Sequence, residues 1–321
     1  MKQTTSIIGC GRWASFLAWY SANIGHQTLL YGRPQSERLL RLQQTRKNDY
    51  LKLPDTIELT DNLEITISHS SYLLVAIGAQ NLRDFFQQLP QDTFHSKTLV
   101  LCMKGIEADT GARLTQIVRG FVNAQTQVAV WLGPGHVQDF IQKIPNCMVI
   151  GSENIDTTRA LIERYSSPLI RLYIGQDLIG NEVGAAAKNA MGIAAGMLDG
   201  LSLSALKGAL MARGAREIAR LIRAMGGNEL TAYGLAHLGD YQATLFSEHS
   251  HNRRFGEMFI KGHGFDKLAE GVATLEALIQ LSEKHSVDMP ICHAIHSIIY
   301  DAQKPKSVLK QLFLRPVKHE F

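Results

Sequence analysis

A glycine-rich turn near the amino terminus has the composition of a dinucleotide-binding loop. Ser6-Ile7-Ile8 has the pattern of a buried strand, and Gly9-Cys10-Gly11-Arg12-Trp13-Ala14 follows it where a helical pattern begins. In such a GxGxxA turn, the first glycine permits the tight bend and the second lets the backbone approach a pyrophosphate. The helix N-terminus adds N–H donors and partial positive charge. The motif predicts a bound dinucleotide; the alternative is a plain strand-to-helix turn.

The end of the second predicted strand bears on which dinucleotide is bound. NAD-specific sites usually carry Asp or Glu about 20 residues after the fingerprint, where it binds the ribose 2′-hydroxyl. This chain has Leu30-Tyr31-Gly32-Arg33 there instead. Because a guanidinium could bind a 2′-phosphate, we expect NAD or NADP as the cofactor, with NADP or dual use favoured. Arg33 would otherwise be a solvated loop arginine.

Two lysines are candidates for proton transfer. Lys188-Asn189 lies within a Gly/Ala-rich helical stretch, where small neighbours would let a long ammonium side chain reach into a cleft. Burial and a second cation lower the pKa of a lysine, which suits it to accept protons near neutral pH. Lys104 follows the predicted strand Thr98–Met103, at the sheet edge where ligands bind, and is a candidate for that second cation. The alternatives are that Lys188 extends to the surface and that Lys104 is a loop lysine.

A polar segment in the second half offers further ligands. Asp240 could orient the lysine or hold a substrate hydroxyl, and Thr244, His251 and Asn252 offer donors for a phosphate. Ser250 opens the same run. The alternative is a solvated loop with a helix N-cap.

The elements that position these residues change character along the chain. The first half alternates short apolar runs with helical patterns, as βαβ units do. Its further predicted strands are Gln27–Tyr31, Tyr72–Ile77, Thr98–Met103 and Val128–Leu132, with a helix over Trp13–Ile24. Beyond a boundary between residues 172 and 180, the predicted helices are Glu182–Leu198, Leu206–Met225, Leu268–His285 and Pro290–Ala302. We predict an α/β fold: an N-terminal Rossmann-like doubly wound parallel sheet over residues 1–175, then an all-helical domain over residues 176–321.

Composition excludes several classes of protein. The 321 residues carry a net charge of +4, with 45% hydrophobic and 19% charged residues, which is ordinary for a globular protein and far from a nucleic-acid-binding tail. The longest apolar stretch, residues 183–198, is too short to span a membrane. Four cysteines without a CxxC pair argue against a disulfide scaffold or zinc site, so we expect a reducing, cytoplasmic setting. His293 and His296 lack evident partners, and we expect no metal.

Motifs spread over most of the chain resemble the bacterial-type NAD(P)-dependent sn-glycerol-3-phosphate dehydrogenases. The resemblance runs from Ile7 to about Leu312. Its most specific parts are Lys104-Gly105-Ile106-Glu107, Gly133-Pro134, Glu182-Val183-Gly184 to Lys188-Asn189 with Gly200-Leu201, Arg213-Gly214, Gly234-Leu235 to Gly239-Asp240, Asn252-Arg253-Arg254-Phe255-Gly256, Glu270-Gly271-Val272 and Met289-Pro290-Ile291. The resemblance implies a dimer that interconverts dihydroxyacetone phosphate and sn-glycerol 3-phosphate for phospholipid synthesis.

The resemblance also implies roles for residues. Lys188 matches the proton acceptor, and Lys104 a lysine that lines both cofactor and substrate. The implied substrate contacts are Asp240, Ser250 and Asn252, with Gly133 and Gly135 in the substrate loop, and we add Asn189, Thr244 and His251. The implied cofactor contacts are Arg12, Trp13, Arg33, Val137 and Glu270, beside Gly9 and Gly11, and we add His251.

Several departures from the family pattern surround the substrate residues. His251 stands where Arg is usual, and Gly135-His136-Val137 replaces a Ser-Phe-Ala segment. Gly78-Ala79 replaces Pro-Ser, and residues 202–206 replace a slightly longer polar loop. Two alternatives therefore stay open: a related dehydrogenase for another anionic hydroxy substrate, and an NAD(P)-sensing protein without turnover.

Overall fold

The structure contains two compact units. It is a computed structural model, and it describes residues 3–247, 250–266, 269–317 and 319–320. One unit is formed by residues 1–104 and 112–182, and the other by residues 105–111 and 183–321.

The first unit is built on one eight-stranded sheet. Its strands are β1 (Thr4–Ile8), β2 (Gln27–Tyr31), β3 (Glu58–Thr60), β4 (Tyr72–Val75), β5 (Thr98–Leu101), β6 (Gln127–Leu132), β7 (Asn146–Ser152) and β8 (Ile170–Ile174). They lie in the order β3-β2-β1-β4-β5-β6-β7-β8. All neighbours are parallel except β6 and β7, which run antiparallel. The strand order reverses at β1, as in Rossmann folds, and confirms the predicted fold class.

Helices accompany the strands of this unit. They are α1 (Arg12–Asn23), α2 (Glu37–Thr45), α3 (Leu63–His69), α4 (Leu82–Gln87), α5 (Leu114–Arg119), α6 (Val137–Ile141) and α7 (Ile155–Tyr165). The central strands are apolar on both faces, with Leu73, Leu74 and Val75 of β4 fully buried, as a sheet covered on both sides requires.

The sequence predicted five of the eight strands, with ends that differ by up to two residues. It missed β3, β7 and β8. β3 has only three residues and no buried one, while β8 carries exposed Arg171, Tyr173 and Ile174. Neither has the continuous apolar run that identifies a strand buried on both faces. β7 contains a continuous apolar run at 147–150 between Asn146 and Gly151, a pattern typical of a buried strand, and the prediction overlooked it.

The second unit is helical, as predicted. Its helices are α8 (Leu178–Gly200, entering from the first unit), α9 (Lys207–Ala224), α10 (Asp240–Phe246), α11 (His251–Ile260), α12 (Glu270–Lys284), α13 (Pro290–Ile299) and α14 (Pro305–Phe313). Leu268, the predicted first residue of one helix, lies outside the described residues. None of the helices in the described ranges is long and apolar enough to cross a membrane.

Glycines of α8 and its neighbours allow backbone-to-backbone contact in this unit. A methyl group on Gly196 would overlap the carbonyl oxygen of Arg253 in α11, and one on Gly256 of α11 would overlap the carbonyl oxygen of Ile193. A methyl group on Gly271, in the first turn of α12, would lie 2.6 Å from the carbonyl oxygen of Asn189. These helices are therefore closer to α8 than any side chain would permit.

A buried glutamate fixes the start of α13. The carboxylate of Glu217 in α9 accepts backbone N–H bonds from Ile291 (2.8 Å) and Cys292 (2.9 Å), which satisfy donors that a helix start leaves unpaired. Burial raises the pKa of Glu217 to about 7, even though these N–H groups favour its charged form. In the first unit, Glu182 caps α5 in the same way by accepting the N–H of Thr115 at 2.9 Å.

Substitution of the α8–α11 glycines is expected to destabilise the protein. Gly196→Ala should lower the free energy of unfolding by about 3 kcal/mol or more, because two backbones must separate to admit the methyl group. Gly208→Ala is the matched control: at this exposed helical glycine, no atom of the described residues outside its own stretch of helix lies within 4 Å of the new methyl group. It should be neutral or stabilising by up to about 1 kcal/mol. Urea unfolding measures both, and equal stability of the two variants would contradict the close packing.

Candidate active site

The glycine turn predicted from sequence lies where the strand order reverses. Gly9 follows β1 with φ of +119°, a conformation that disfavours any side chain, and its N–H donates to the carbonyl of Tyr31 at 2.9 Å. A methyl group on Gly9 would lie 2.5 Å from the carbonyl oxygen of Ala76, just beyond β4. Gly9 thus lets the chain turn between the ends of β2 and β4.

Gly11 differs from Gly9 in its backbone conformation and in the space around it. Its φ of −79° is open to any residue, and among the described residues beyond its chain neighbours a methyl group there would have one neighbour within 4 Å, the Arg38 guanidinium at 3.6 Å. It is the N-cap of α1, whose first turn contains no acidic residue. The first N–H groups of a helix have no partner within it, so this end suits an anion such as a pyrophosphate.

Three predicted cofactor contacts lie around this turn. The guanidinium of Arg12 stacks 4.5 Å above the Tyr50 ring and donates to Gln138 at 2.6 Å, and burial lowers its pKa. Trp13 packs on Phe16, with ring centroids 4.8 Å apart. The side chain of Val137 is buried at the start of α6, so any contact with a ligand there would come from its backbone.

Arginines flank the turn on the side of β2. Arg33 lies just beyond the strand and is exposed, so its predicted contact with a 2′-phosphate stays a prediction. Arg38, in the first turn of α2, was missed, although its guanidinium reaches the region beside Gly11. The available signal was its place in the helix that follows Arg33, but only the tertiary structure shows that this helix end approaches the glycine turn.

Lys104 and the predicted substrate loop meet at the ends of β5 and β6. The Lys104 ammonium donates to the carbonyl of Gly133 at 3.0 Å. Gly133 has φ of +130°, and Gly135 has φ of +148° with the Phe140 ring occupying the position of any side chain. A serine at residue 135, usual in the resembled family, would therefore collide with Phe140.

In the second unit, Lys188 forms a compact polar cluster. Its ammonium donates to the carboxylate of Asp240 and to the hydroxyl of Thr244, both at 2.9 Å. The Lys188 side chain is 11% exposed and that of Asp240 is 3% exposed. The Thr244 hydroxyl donates in turn to the Asp240 carbonyl at 2.8 Å, which directs its lone pair to the lysine. Lys188 is thus held inside the unit and does not extend along the surface.

A π-helical turn, Leu235–Gly239, directly precedes Asp240 and positions it in this cluster. The N–H of Gly239 donates to the carbonyl of Gly234, five residues earlier, at 3.1 Å. Such turns concentrate at functional sites because they shift the register of the residues that follow. His237 on this turn is fully buried, and no motif or spacing in the sequence had singled it out.

The other predicted residues surround the start of α12. Asn252 accepts the N–H of Gly271 at 2.9 Å, and the Asn189 carbonyl packs against Gly271. Glu270, the first residue of α12, is brought beside both asparagines. Ser250 caps α11 by accepting the N–H of Arg253 at 3.3 Å. His251 lies in the first turn of α11, with its ring 6.5 Å from that of Phe265.

An ion cluster that the sequence did not predict supports this region. Asp199, near the end of α8, binds Lys207 at 2.7 Å and Arg253 at 2.6 Å. Burial opposes ionisation of Asp199, but hydrogen bonds from Lys207, Ser204 and Arg253 hold its pKa below its ordinary value. The cluster ties α8, α9 and α11 together just beyond the candidate phosphate-binding residues.

Two family models cover most of the chain. The model described as NAD-dependent glycerol-3-phosphate dehydrogenase N-terminus matches residues 4–158, and that described as the C-terminus of the same enzyme matches residues 177–310. The chain belongs to the NAD-dependent glycerol-3-phosphate dehydrogenase family. The predicted resemblance is therefore confirmed.

Individual relatives match over their full length. The chain is 34% identical to a glycerol-3-phosphate dehydrogenase [NAD(P)+] from Clostridium botulinum (strain Eklund 17B / Type B), over 98% of each protein. It is 31% identical to a protein of the same name from Thermoanaerobacter sp. (strain X514), again over 98% of each. The crystal structure of glycerol-3-phosphate dehydrogenase from Coxiella burnetii matches with a TM-score of 0.89 at 26% identity, over 98% of this chain and 99% of that one.

The two fingerprint glycines should respond differently to substitution. Gly9→Ala should lower the melting temperature by several degrees, because its backbone conformation and the Ala76 carbonyl both exclude a side chain. Gly11→Ala should leave the melting temperature within about 2 °C but weaken NADPH binding about tenfold or more, because the methyl group stands where a pyrophosphate must approach. Thermal unfolding and fluorescence titration with NADPH separate the two effects. Equal loss of stability in both variants would refute the assignment of the turn to Gly9 and of the ligand space to Gly11.

Proposed function

We propose that this protein interconverts dihydroxyacetone phosphate and sn-glycerol 3-phosphate with NAD(P)H, using Lys188 as the proton donor and acceptor. The observation that carries this is the Lys188–Asp240–Thr244 cluster, a partly buried ammonium held by two oxygens in a member of a dehydrogenase family. Reduction of a ketone needs a hydride and a proton, and a held ammonium is a proton source.

The first unit is suited to hold the dinucleotide. Gly11 leaves room for a pyrophosphate above the first turn of α1, and no acidic residue in that turn would repel it. Bound NAD(P)H supplies the hydride. Arg33 and Arg38 bring positive charge toward a ribose 2′-phosphate, which favours NADP or dual use. We assign the remaining cofactor contacts to Gly9, Arg12, Trp13, Lys104, Val137, His251 and Glu270.

Lys188 donates or accepts the proton of the reaction. In the reducing direction its ammonium donates to the alkoxide that forms at the carbonyl oxygen, and in the oxidising direction the neutral amine accepts the proton of the C2 hydroxyl. Asp240 favours the ammonium form and fixes its direction, while Thr244 holds the ammonium from a second side. Lys104 and the Asn189 amide stabilise charge on the same oxygen.

The remaining proposed substrate contacts bind the phosphate end. Ser250, His251 and Asn252 lie together at the start of α11, where N–H donors and a protonated imidazole favour an anion. Gly133 and Gly135 form the substrate loop. We further propose that residues 1–175 bind cofactor and residues 176–321 bind substrate, and that the enzyme is a cytoplasmic homodimer of phospholipid synthesis. The four free thiols fit a reducing compartment.

The direct assay follows nicotinamide absorbance with NADH and NADPH in parallel and dihydroxyacetone phosphate as acceptor. Oxidation of either cofactor is expected. Oxidation only with other phosphorylated or carboxylated ketones would identify a related dehydrogenase. Tight cofactor binding without oxidation of any of them would identify a nicotinamide-sensing protein.

Removal of the amine should abolish most turnover. Lys188→Ala is expected to lower kcat about 10²- to 10⁴-fold, the usual contribution of general acid–base catalysis, without weakening NADPH binding. Added methylamine should restore part of the rate, because a free amine can occupy the space of the lost one. Lys284→Ala, an exposed lysine of α12, is the control with unchanged kcat. Near wild-type turnover in Lys188→Ala would exclude the proposed role.

The arginines beside the glycine turn should set cofactor preference. Arg33→Ala and Arg38→Ala should each weaken binding of 2′,5′-ADP about tenfold, because each removes a charged contact to the 2′-phosphate. Binding of 5′-AMP should stay the same. Arg159→Ala, which removes an exposed guanidinium from α7, is the matched control. Calorimetric titration measures all three, and an equal effect on both nucleotides would show that the arginines do not read the 2′-phosphate.

A further inference from the structure

His237 connects the π-helical turn to the helix that carries Lys188. Its imidazole is fully buried, and Nδ1 lies 2.7 Å from the carbonyl oxygen of Gly184. Gly184 is one helical turn before Lys188 on α8. A methyl group on Gly184 would lie 2.8 Å from the Cβ of His237, so the absence of a side chain there admits the ring.

The π-helical turn and α10, which follows it directly, meet α8 at successive points. His237 contacts Gly184, Asp240 contacts Lys188, and Thr244 contacts both Lys188 and the position of Gly192, where a methyl group would lie 3.0 Å from its Cγ2. Residues 184, 188 and 192 form one stripe of α8, each a helical turn apart. The contacts of residues 240 and 244 with α8 therefore depend on a single alignment of the two segments along the α8 axis. The contact between His237 and Gly184 is the first contact in that alignment.

The protonation state of the ring follows from its partner. A carbonyl oxygen only accepts, so Nδ1 carries the hydrogen and Nε2 carries the lone pair. Nε2 is buried and has no hydrogen-bond partner among the described residues. Burial lowers the pKa of His237 to about 4, against the opposing effects of the Gly184 carbonyl and Asp240, and Lys188 lowers it further. The ring is thus neutral at physiological pH.

This arrangement is costly for a residue that only fills space. A buried acceptor without a partner lowers the stability of the folded protein, a loss that leucine would avoid at a similar volume. The Tyr241 ring stacks on the imidazole with centroids 5.3 Å apart, and an apolar side chain could pack there as well. What leucine lacks is the Nδ1–H that binds the Gly184 carbonyl.

We propose that His237 is a positioning residue, whose hydrogen bond to the Gly184 carbonyl fixes the register of the π-helical turn against α8 and so holds Asp240 against the Lys188 ammonium. This role rests on the proposed function, because it acts through the acid–base lysine. His237 itself contacts neither cofactor nor substrate in this scheme.

Two substitutions distinguish positioning from packing, because they predict opposite orders of activity. His237→Asn keeps an N–H donor near the place of Nδ1–H but loses ring volume, whereas His237→Leu keeps volume but has no donor. If the hydrogen bond matters, the asparagine variant is the more active. If only packing matters, the leucine variant is.

We expect His237→Leu to fold with an unchanged or higher melting temperature. Its kcat should fall about 10- to 100-fold, the effect of misplacing a catalytic group by about 1 Å. KM for dihydroxyacetone phosphate should stay within about twofold, because an interaction that acts in the transition state changes kcat. His237→Asn should keep kcat within about threefold of the wild type. Wild-type kcat in the leucine variant, or an equal loss in both variants, would overturn the role.

A measurement on the wild-type protein tests the bond if a variant fails to fold. Nitrogen-15 NMR of the histidine rings should show one imidazole that remains the neutral Nδ1–H tautomer from pH 5 to pH 8. An Nε2–H tautomer, or a charged ring across that range, would overturn the proposal. Since this experiment needs no substrate, it is independent of turnover. Failure of wild-type protein to reduce dihydroxyacetone phosphate would refute the proposed function alone.

Discussion

The close approach of helix backbones around α8 is the constraint on which the second unit depends. At Gly196, Gly256 and Gly271 one backbone lies where the side chain of any other residue would be. Close contact without side chains gives little apolar burial at the crossing, so other interactions must fix the helices there. The Asp199 cluster does so beside Gly196, where two cations on α9 and α11 bind one carboxylate.

Short helix separation also explains how the Lys188 side chain is largely shielded from solvent and held in one direction. If large side chains kept the neighbouring helices farther from α8, the Lys188 ammonium would have room between them to extend to solvent. Here Asp240 and Thr244 come from a segment packed directly on α8, so the ammonium meets its oxygens inside the unit. Removing either oxygen would leave a charge that is poorly solvated. A buried charge pair of this kind contributes little to stability, which is consistent with a role in chemistry.

In the first unit, the main constraint is to leave space for an anion at the edge of the sheet. Gly9 is fixed by backbone geometry and by the Ala76 carbonyl, whereas Gly11 is constrained by neither. One glycine therefore makes the turn and the other leaves space above a helix N-terminus. The loop at Gly133 and Gly135 also lacks side chains at these two positions. At Gly135, however, the Phe140 ring occupies the space where the side chain of a larger residue would lie. This accounts in physical terms for the departure from the family pattern at residue 135.

The class of fold, the glycine turn and the unusual place of Lys188 could be predicted from the sequence, because each depends on local composition or on a hydrophobic period of two or 3.6 residues. It also placed Asp240 and Thr244 as candidates and offered the lysine as one of two partners for Asp240, but it neither chose between those two partners nor placed Thr244 against the lysine, which is 52 and 56 residues away from these residues. These bonds to the lysine, the approach of Arg38 to Gly11 and the burial of His237 are evident only in the folded chain. They depend on the register between segments that are distant in the chain. In the case of Asp240, a π-helical turn shifts that register, and no period in the sequence reveals it.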